Sequence, residues 1–162
     1  MSVEPLPRTG ISNVIGLLEF IDDAGGKEDV FRLTRELQYD LEDILPVIEA
    51  SELLELSEVS DGDIKLTALG KKLLESDVNE RKLIVKRQLK KIKVFQEVIS
   101  TLKARVDRHL DREFVVELFE TNLSEEDAES LVHTLIEWGR YAELIGYNHD
   151  TEEIYLDQED QD

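Results

Sequence analysis

The stretch Glu52–Gly70, ELLELSEVSDGDIKLTALG, constrains the fold more than any other part of the sequence. An apolar run that ends at Leu56 is followed by a polar turn, Ser60–Asp63, and then by a short apolar strand, Ile64–Leu66. Thr67 precedes a new helical pattern and is a typical N-cap residue. A helix, a tight hairpin and a capped helix in this order are typical of the wing of a winged helix.

The segment before the wing predicts three helices in helix-turn-helix order. Apolar spacing places the first at Ile11–Gly25, with Ser12 as its N-cap, and the second at Glu28–Leu37. Asp40 is expected to cap a third helix that ends near Leu54. The residues expected to face the core are Val14, Leu17, Leu18, Ile21, Val30, Leu33, Leu37, Ile44, Ile48 and Leu53. Together with the helix after Thr67, this predicts a winged-helix-like lobe over residues 11–76.

Residues 78–106 carry apolar side chains at intervals of three and four, which predicts one long helix. Its apolar stripe comprises Val85, Leu89, Ile92, Phe95, Ile99, Leu102 and Val106. A basic candidate partner surface lies beside it and comprises Lys82, Lys86, Arg87, Lys90, Lys91 and Lys93. We expect this helix, residues 77–107, to connect two lobes. Its charges either face solvent and the acidic lobes or form a docking face for a partner.

The remaining residues predict a second, shorter winged-helix-like lobe over residues 108–157. One helix is expected near 111–121, with Phe114, Val115, Leu118 and Phe119 inward, and Ser124 caps another that ends near Tyr141. Two short strands follow. Ile48-Glu49 and Glu55-Leu56 recur as Ile136-Glu137 and Glu143-Leu144 at a constant offset of 88, and Leu66 recurs as Leu156 after two extra residues. The predicted fold is mainly α with small β wings, with residues 1–10 and 158–162 as flexible ends.

Charge is distributed unevenly along the chain. The net charge is −19, yet residues 81–112 hold 11 of the 19 Lys and Arg and only 3 of the 38 Asp and Glu. Gln38 to Lys65 contains no cation between its ends, so the expected recognition helix and wing would repel phosphates. This argues against nucleic acid as the partner of either lobe. It favours a winged helix that binds protein or serves only as a scaffold.

Sequence patterns for catalysis or cofactor binding are missing. Gly70-Lys71-Lys72 lacks the upstream glycine and the Ser/Thr of a phosphate-binding loop. His109, His133 and His149 lack metal-site spacing, and the chain has no cysteine. We therefore expect no enzyme, no cofactor, no metal and no catalytic residues. No apolar run approaches the ~20 residues of a membrane span, and the N-terminus lacks a signal-peptide pattern, which predicts a cytoplasmic chain.

The stretch Trp138–Leu144, WGRYAEL, holds the only tryptophan and the last cation of the chain. One interpretation is structural: Trp138 lies in the core and Arg140 pairs with nearby carboxylates. The alternative is that Trp138, Arg140 and Tyr141 form a contact or ligand patch.

Four stretches give the chain a family resemblance: GLLEFIDDAGGKEDVFRL, ELLELSEVSDGDIKLTALGKKL, ERKLIVKRQL and EEDAESLVHTLIEWGRYAELIGYNHDTEEIYL. They resemble the AAA-associated C-terminal domain that follows the ATPase of nitrate/sulfonate/taurine-type ABC importers. The resemblance implies a regulatory or accessory role without catalytic residues. The sequence departs from that pattern because it begins with its own methionine and no ATPase domain precedes it. The resemblance therefore implies either a free-standing version or an excised domain.

Three functional hypotheses follow. The first is an interaction module that modulates an ABC-type ATP-binding subunit, peripheral to the inner face of the membrane without inserting into it. The second is a transcription regulator that binds DNA through the basic helix. The third is a small-molecule sensor with a pocket between the lobes. The long helix could also pair with a copy of itself to give a homodimer.

Overall fold

A computed structural model describes residues 4–157 of the chain. These residues form two compact units, the first comprising Pro7–Ile84 and the second comprising the chain from Val85 onward together with residues 4–6. Of the two ends expected to be flexible, residues 1–3 and 158–162 lie outside the described residues. The fold is mainly α with two small antiparallel sheets, as predicted.

The first unit contains four whole helices and three strands. In chain order they are α1 (Ile11–Asp23), β1 (Lys27–Asp29), α2 (Val30–Leu37), α3 (Leu41–Leu53), β2 (Ser57–Ser60), β3 (Asp63–Leu66) and α4 (Ala68–Glu75). The predicted hairpin is present, and Thr67 caps α4 because its Oγ1 accepts a hydrogen bond from the Gly70 N–H at 3.0 Å. Helix α5 (Val78–Leu89) begins in this unit.

Strand β3 is the centre of the first sheet, whose order is β1-β3-β2. Ile64 and Leu66 alternate with the exposed Lys65, so one sheet face packs into the core and the other faces solvent. The hairpin turn also fixes helix α2, since the Gly62 carbonyl accepts the Val30 N–H at 2.9 Å. Sheet formation and helix placement are therefore coupled in this unit.

The second unit has the same element order up to its hairpin. It comprises α6 (Lys93–Ala104), β4 (His109–Asp111), α7 (Arg112–Glu120), α8 (Glu125–Tyr141), β5 (Ile145–Asn148) and β6 (Glu153–Leu156), with sheet order β4-β6-β5. As predicted, Ser124 caps α8 by accepting from the Asp127 N–H at 3.1 Å. The second hairpin turn also binds a helix start, because the Glu152 carbonyl accepts the Arg112 N–H at 2.8 Å.

Backbone bonds at the helix–strand junctions repeat at the offset of 88 seen in the sequence. The Leu56 N–H donates to the Ser51 carbonyl at 2.9 Å, and the Leu144 N–H donates to the Gly139 carbonyl at 2.9 Å. The offset therefore aligns α3 with α8 residue by residue, which allows the surfaces of the two helices to be compared directly.

The single long helix predicted for residues 78–106 is wrong. Helix α5 ends at Leu89, and α6 starts only at Lys93, after an extended Ile92. In an unbroken helix Val98 would point about 180° away from Leu89, at about 100° per residue. The break lets both side chains be buried, and it leaves Val106 fully exposed instead of on a continuous stripe.

Several residues predicted to face the core do not. Leu53 and Phe114 are 40% and 42% exposed. Leu53 lies five residues beyond the buried Ile48, which turns it about 140° away on the helix. Phe114 is turned away from the buried Phe119 in the same way. Val30 and Leu37 are only half-buried. At α1, the N-cap is Gly10 rather than the expected Ser12.

We predict that Gly70→Ala destabilises the chain by about 3 kcal/mol, because the new methyl group would collide with the Leu56 carbonyl oxygen. Gly16→Ala is the matched control. It lies inside α1 with no atom near the new methyl group and should stabilise by about 0.5–1 kcal/mol. Urea unfolding followed by far-UV circular dichroism measures both. Equal stabilities for the two variants would contradict the close approach at Gly70.

Candidate functional site

The outer side of α3 is the most distinctive surface of the first unit. We define the α3 face as the exposed side chains Leu41, Glu42, Leu45, Glu49 and Glu52. At about 100° per residue these five fall within roughly 100° of one another, opposite the buried Ala50 and Val47 side. Leu41 is 44% exposed and Leu45 is 40% exposed, so two leucines one turn apart contact solvent.

The β2–β3 hairpin lies beside the last turn of α3. Glu52 Oε2 accepts the backbone N–H of Val59 at 3.4 Å, which links the last turn of α3 to strand β2. Val59 is 37% exposed, and its neighbour Glu58 is exposed as well. Val59 therefore lies next to the end of the α3 face, whereas Glu58 points to the opposite side of the sheet, beside Lys65.

The surface charge of this region is strongly negative. Glu42, Glu49 and Glu52 contribute three carboxylates, and the first cation after Gln38 is Lys65 on the central strand. Lys65 lies beside Glu58 on the paired strand. A phosphate backbone would be repelled at this surface, whereas basic protein side chains would be attracted.

The equivalent side of α8 has a different character. At the offset of 88, Leu41 corresponds to Glu129 and Leu45 to His133. Glu129 Oε2 forms an ion pair with Arg112 Nη1 at 2.7 Å. His133 Nε2 lies 3.2 Å from a carboxylate oxygen of Glu137, one turn further along α8. In the second unit this side is therefore polar, and Glu129 and Glu137 each contact another side chain of the unit.

The six residues expected to form a basic partner surface do not lie along one side of a single helix. Lys82, Lys86 and Arg87 are on α5, Lys90 and Lys91 are in the connection, and Lys93 starts α6. Lys86 is only 8% exposed and Lys82 is half-buried, whereas Arg87, Lys90, Lys91 and Lys93 are exposed. The accessible part of this basic segment is therefore residues 87–93.

The three residues of the second candidate patch, Trp138, Arg140 and Tyr141, differ in how far they are buried. Trp138 is fully buried, Tyr141 is half-buried and Arg140 is exposed. Arg140 Nη1 lies 3.3 Å from His149 Nε2, in the turn between β5 and β6, and the His149 ring makes an edge contact with Tyr147. Arg140 thus contacts a histidine ring at the hairpin turn, where the sequence had suggested carboxylates.

Asp107 lies two residues before strand β4, and its surroundings stabilise the charged form of its carboxyl group. The pKa of its carboxyl group is lowered, first because its Oδ1 accepts the backbone N–H of His109 and then because of the charge of Arg105. This aspartate is fully exposed and orders the start of β4. Its position at a turn is typical of backbone capping.

Within residues 4–157 no cluster of three or more His, Cys, Asp or Glu could hold a metal ion. A groove of about 180 Å³ in the first unit has an apolar floor that includes Leu17 and Ile44 and is bordered by Tyr39. That volume is below the roughly 300–1,000 Å³ of typical small-molecule sites. In the same part of the chain, no helix is long and apolar enough to cross a membrane.

We predict that Arg140→Ala lowers the free energy of unfolding by less than about 1 kcal/mol, because its contact with His149 is exposed to water. Trp138→Ala should cost about 3–5 kcal/mol, because the indole is completely buried. Thermal unfolding of both variants tests this difference. A loss at Arg140 as large as that at Trp138 would show that the arginine has a larger structural role.

Comparison with known proteins identifies a family. The model of the C-terminal AAA-associated domain matches residues 31–148, which run from the second residue of α2 through the first hairpin to the end of β5. No curated protein and no solved structure matches the chain significantly. The match agrees with the resemblance seen in the sequence and extends over most of the chain, so the chain belongs to the C-terminal AAA-associated domain family.

Proposed function

We propose that this chain is a non-enzymatic accessory module that regulates the ATP-binding subunit of an ABC importer of the nitrate/sulfonate/taurine class. The family match over residues 31–148 carries the proposal, since the family is described by its association with AAA-type ATPases. The chain would then act in the cytoplasm, at the inner face of the membrane through its transporter. The importer class follows from the sequence resemblance alone.

The surface chemistry supports a protein partner. We infer that both units are winged helices whose recognition helices do not read DNA. The exposed side of α3 presents leucines and glutamates, and that of α8 presents glutamates and a histidine, with Arg140 in the last turn. The first turns of the two helices contain none of the arginine, lysine or asparagine side chains that typically contact base edges there.

The basic segment, residues 87–93, supports an alternative in which the chain regulates transcription by binding DNA. Arg87, Lys90, Lys91 and Lys93 are exposed there. The segment is short, and the net charge of the chain is −19, so nonspecific attraction to nucleic acid is opposed by most of the surface. The same segment could instead contact a protein partner or a second copy of the chain, which would agree with the main proposal.

We predict that the affinity-tagged chain, purified from its native host, recovers an ABC-type ATP-binding subunit identified by mass spectrometry. Recovery should survive nuclease treatment and decrease at high salt, because the Debye length falls from about 10 Å at 0.1 M to about 3 Å at 1 M. A control purification uses the tag alone. Adding the purified chain to the recovered ATPase should change its rate of ATP hydrolysis.

Other outcomes distinguish the alternatives. Partners that are lost on nuclease treatment, with retarded mobility of DNA at low salt, would favour transcription regulation. In that case Arg87→Ala with Lys90→Ala should weaken DNA binding and reduce its salt dependence. Recovery of neither an ATPase nor nucleic acid would leave the proposed function without support.

A further inference from the structure

We propose that the α3 face and the adjacent wing bind a basic, amphipathic segment of a partner protein, with its apolar side chains against Leu41 and Leu45 and its cations against Glu49 and Glu52. This inference rests on the proposed accessory function and names the partner's chemistry and the docking surface. The partner segment in that function would belong to the ATP-binding subunit.

Two partly exposed leucines lie next to each other on the α3 face. Leu41 and Leu45 are separated by one turn, about 6 Å along the α3 axis. Each leaves about two fifths of its surface exposed, while Ile44 and Ile48 on the inner side are buried. Both leucines thus pack partly against the unit, and the exposed part of their apolar area is available to a partner.

Charge complementarity identifies the kind of partner. The next turns of the same face present Glu49 and Glu52, and Glu52 also bonds to the wing through the Val59 N–H. A partner of leucines alone would leave these carboxylates desolvated without a cation, which costs free energy. A segment with lysine or arginine one or two turns beyond its apolar side chains could contact the leucines and the glutamates of the α3 face at the same time.

The second unit supplies an internal comparison on an equivalent backbone. Leu45 corresponds to His133, which contacts Glu137, and Leu41 corresponds to Glu129, which is paired with Arg112. The carboxylates on that side of α8 therefore already have partners within the unit. Among residues 4–157 no lysine or arginine forms an ion pair with Glu49 or Glu52, so the α3 face retains the charge pattern that a basic segment would meet.

Matched variants separate this site from the general acidity of the chain. Leu45→Lys and Glu49→Lys change the α3 face, and His133→Lys and Glu137→Lys place lysine at the equivalent positions of α8. All four positions are exposed, so the variants should fold, which far-UV circular dichroism checks. The probe is a fluorescein-labelled peptide of about 18 residues, five helical turns, of leucine and lysine at amphipathic spacing. A scrambled peptide of the same composition is its control.

We expect the full-length chain to bind the amphipathic peptide about tenfold more tightly than the scrambled one in anisotropy titrations. Leu45→Lys and Glu49→Lys should each raise Kd about tenfold, whereas the α8 variants should change it less than about twofold. Equal effects of the α3 and α8 variants would show general electrostatic attraction and overturn the proposal. A wild-type dimer in sedimentation that Leu45→Lys dissociates would also overturn it, because the occupant would then be a second copy.

The same variants are also used as the tagged chain in the purification from the host. This experiment tests the docking site and the accessory function independently. Recovery of the ATP-binding subunit by wild type and by the α8 variants, but not by Leu45→Lys, supports both. Recovery by Leu45→Lys at the wild-type level overturns the docking site and leaves the accessory function standing. Tight peptide binding at α3 without recovery of any ATPase supports the docking site and counts against the accessory function.

Discussion

The central strand of each sheet determines how the rest of its unit is arranged. Strand β3 pairs with β1, which precedes α2 and α3, and with β2, which follows them. Strand β6 does the same in the second unit. Each hairpin turn also accepts the first N–H of the helix that follows the outer strand, at Val30 and at Arg112. These bonds connect segments distant in the chain, so the two helices between the outer strands, α2 and α3 in the first unit, are held at both ends by one small sheet.

Elements with local causes could be predicted from the sequence. The hairpin at Asp61-Gly62 and the caps at Thr67 and Ser124 depend on residues within a few positions of one another, and each is found where expected. Strands β1 and β4 were not predicted. Lys27–Asp29 has neither apolar alternation nor β-branched residues, and it becomes a strand only because it pairs with β3. The break after Leu89 has a similar origin, because burial on both sides of it outweighs local helical spacing.

The candidate surface could be predicted only in part. The sequence shows that the expected recognition helix lacks cations, and this is enough to argue against phosphate contacts there. It also places Leu45 on the exposed side of residues 40–52, but it does not show that Leu41, one turn earlier, is outside the core as well. Burial of Lys86 is a further example: its spacing suits an exposed basic stripe, but its side chain lies inside the fold. In both cases the face of the helix is determined by packing against distant residues.

The two units show why the fold alone does not specify the partner. Both helix ends turn into their hairpins through a glutamate with positive φ, Glu55 and Glu143, and both retain a buried leucine just after it. These positions maintain the junction, whereas of the five residues of the α3 face only Glu49 recurs at the equivalent position of α8, as Glu137. Because exposed substitutions change stability little, one backbone can present an apolar and acidic surface in the first unit and an internally paired polar surface in the second. Differences in binding between the units should therefore follow the exposed residues of α3 and α8, and we place the partner site on those of α3.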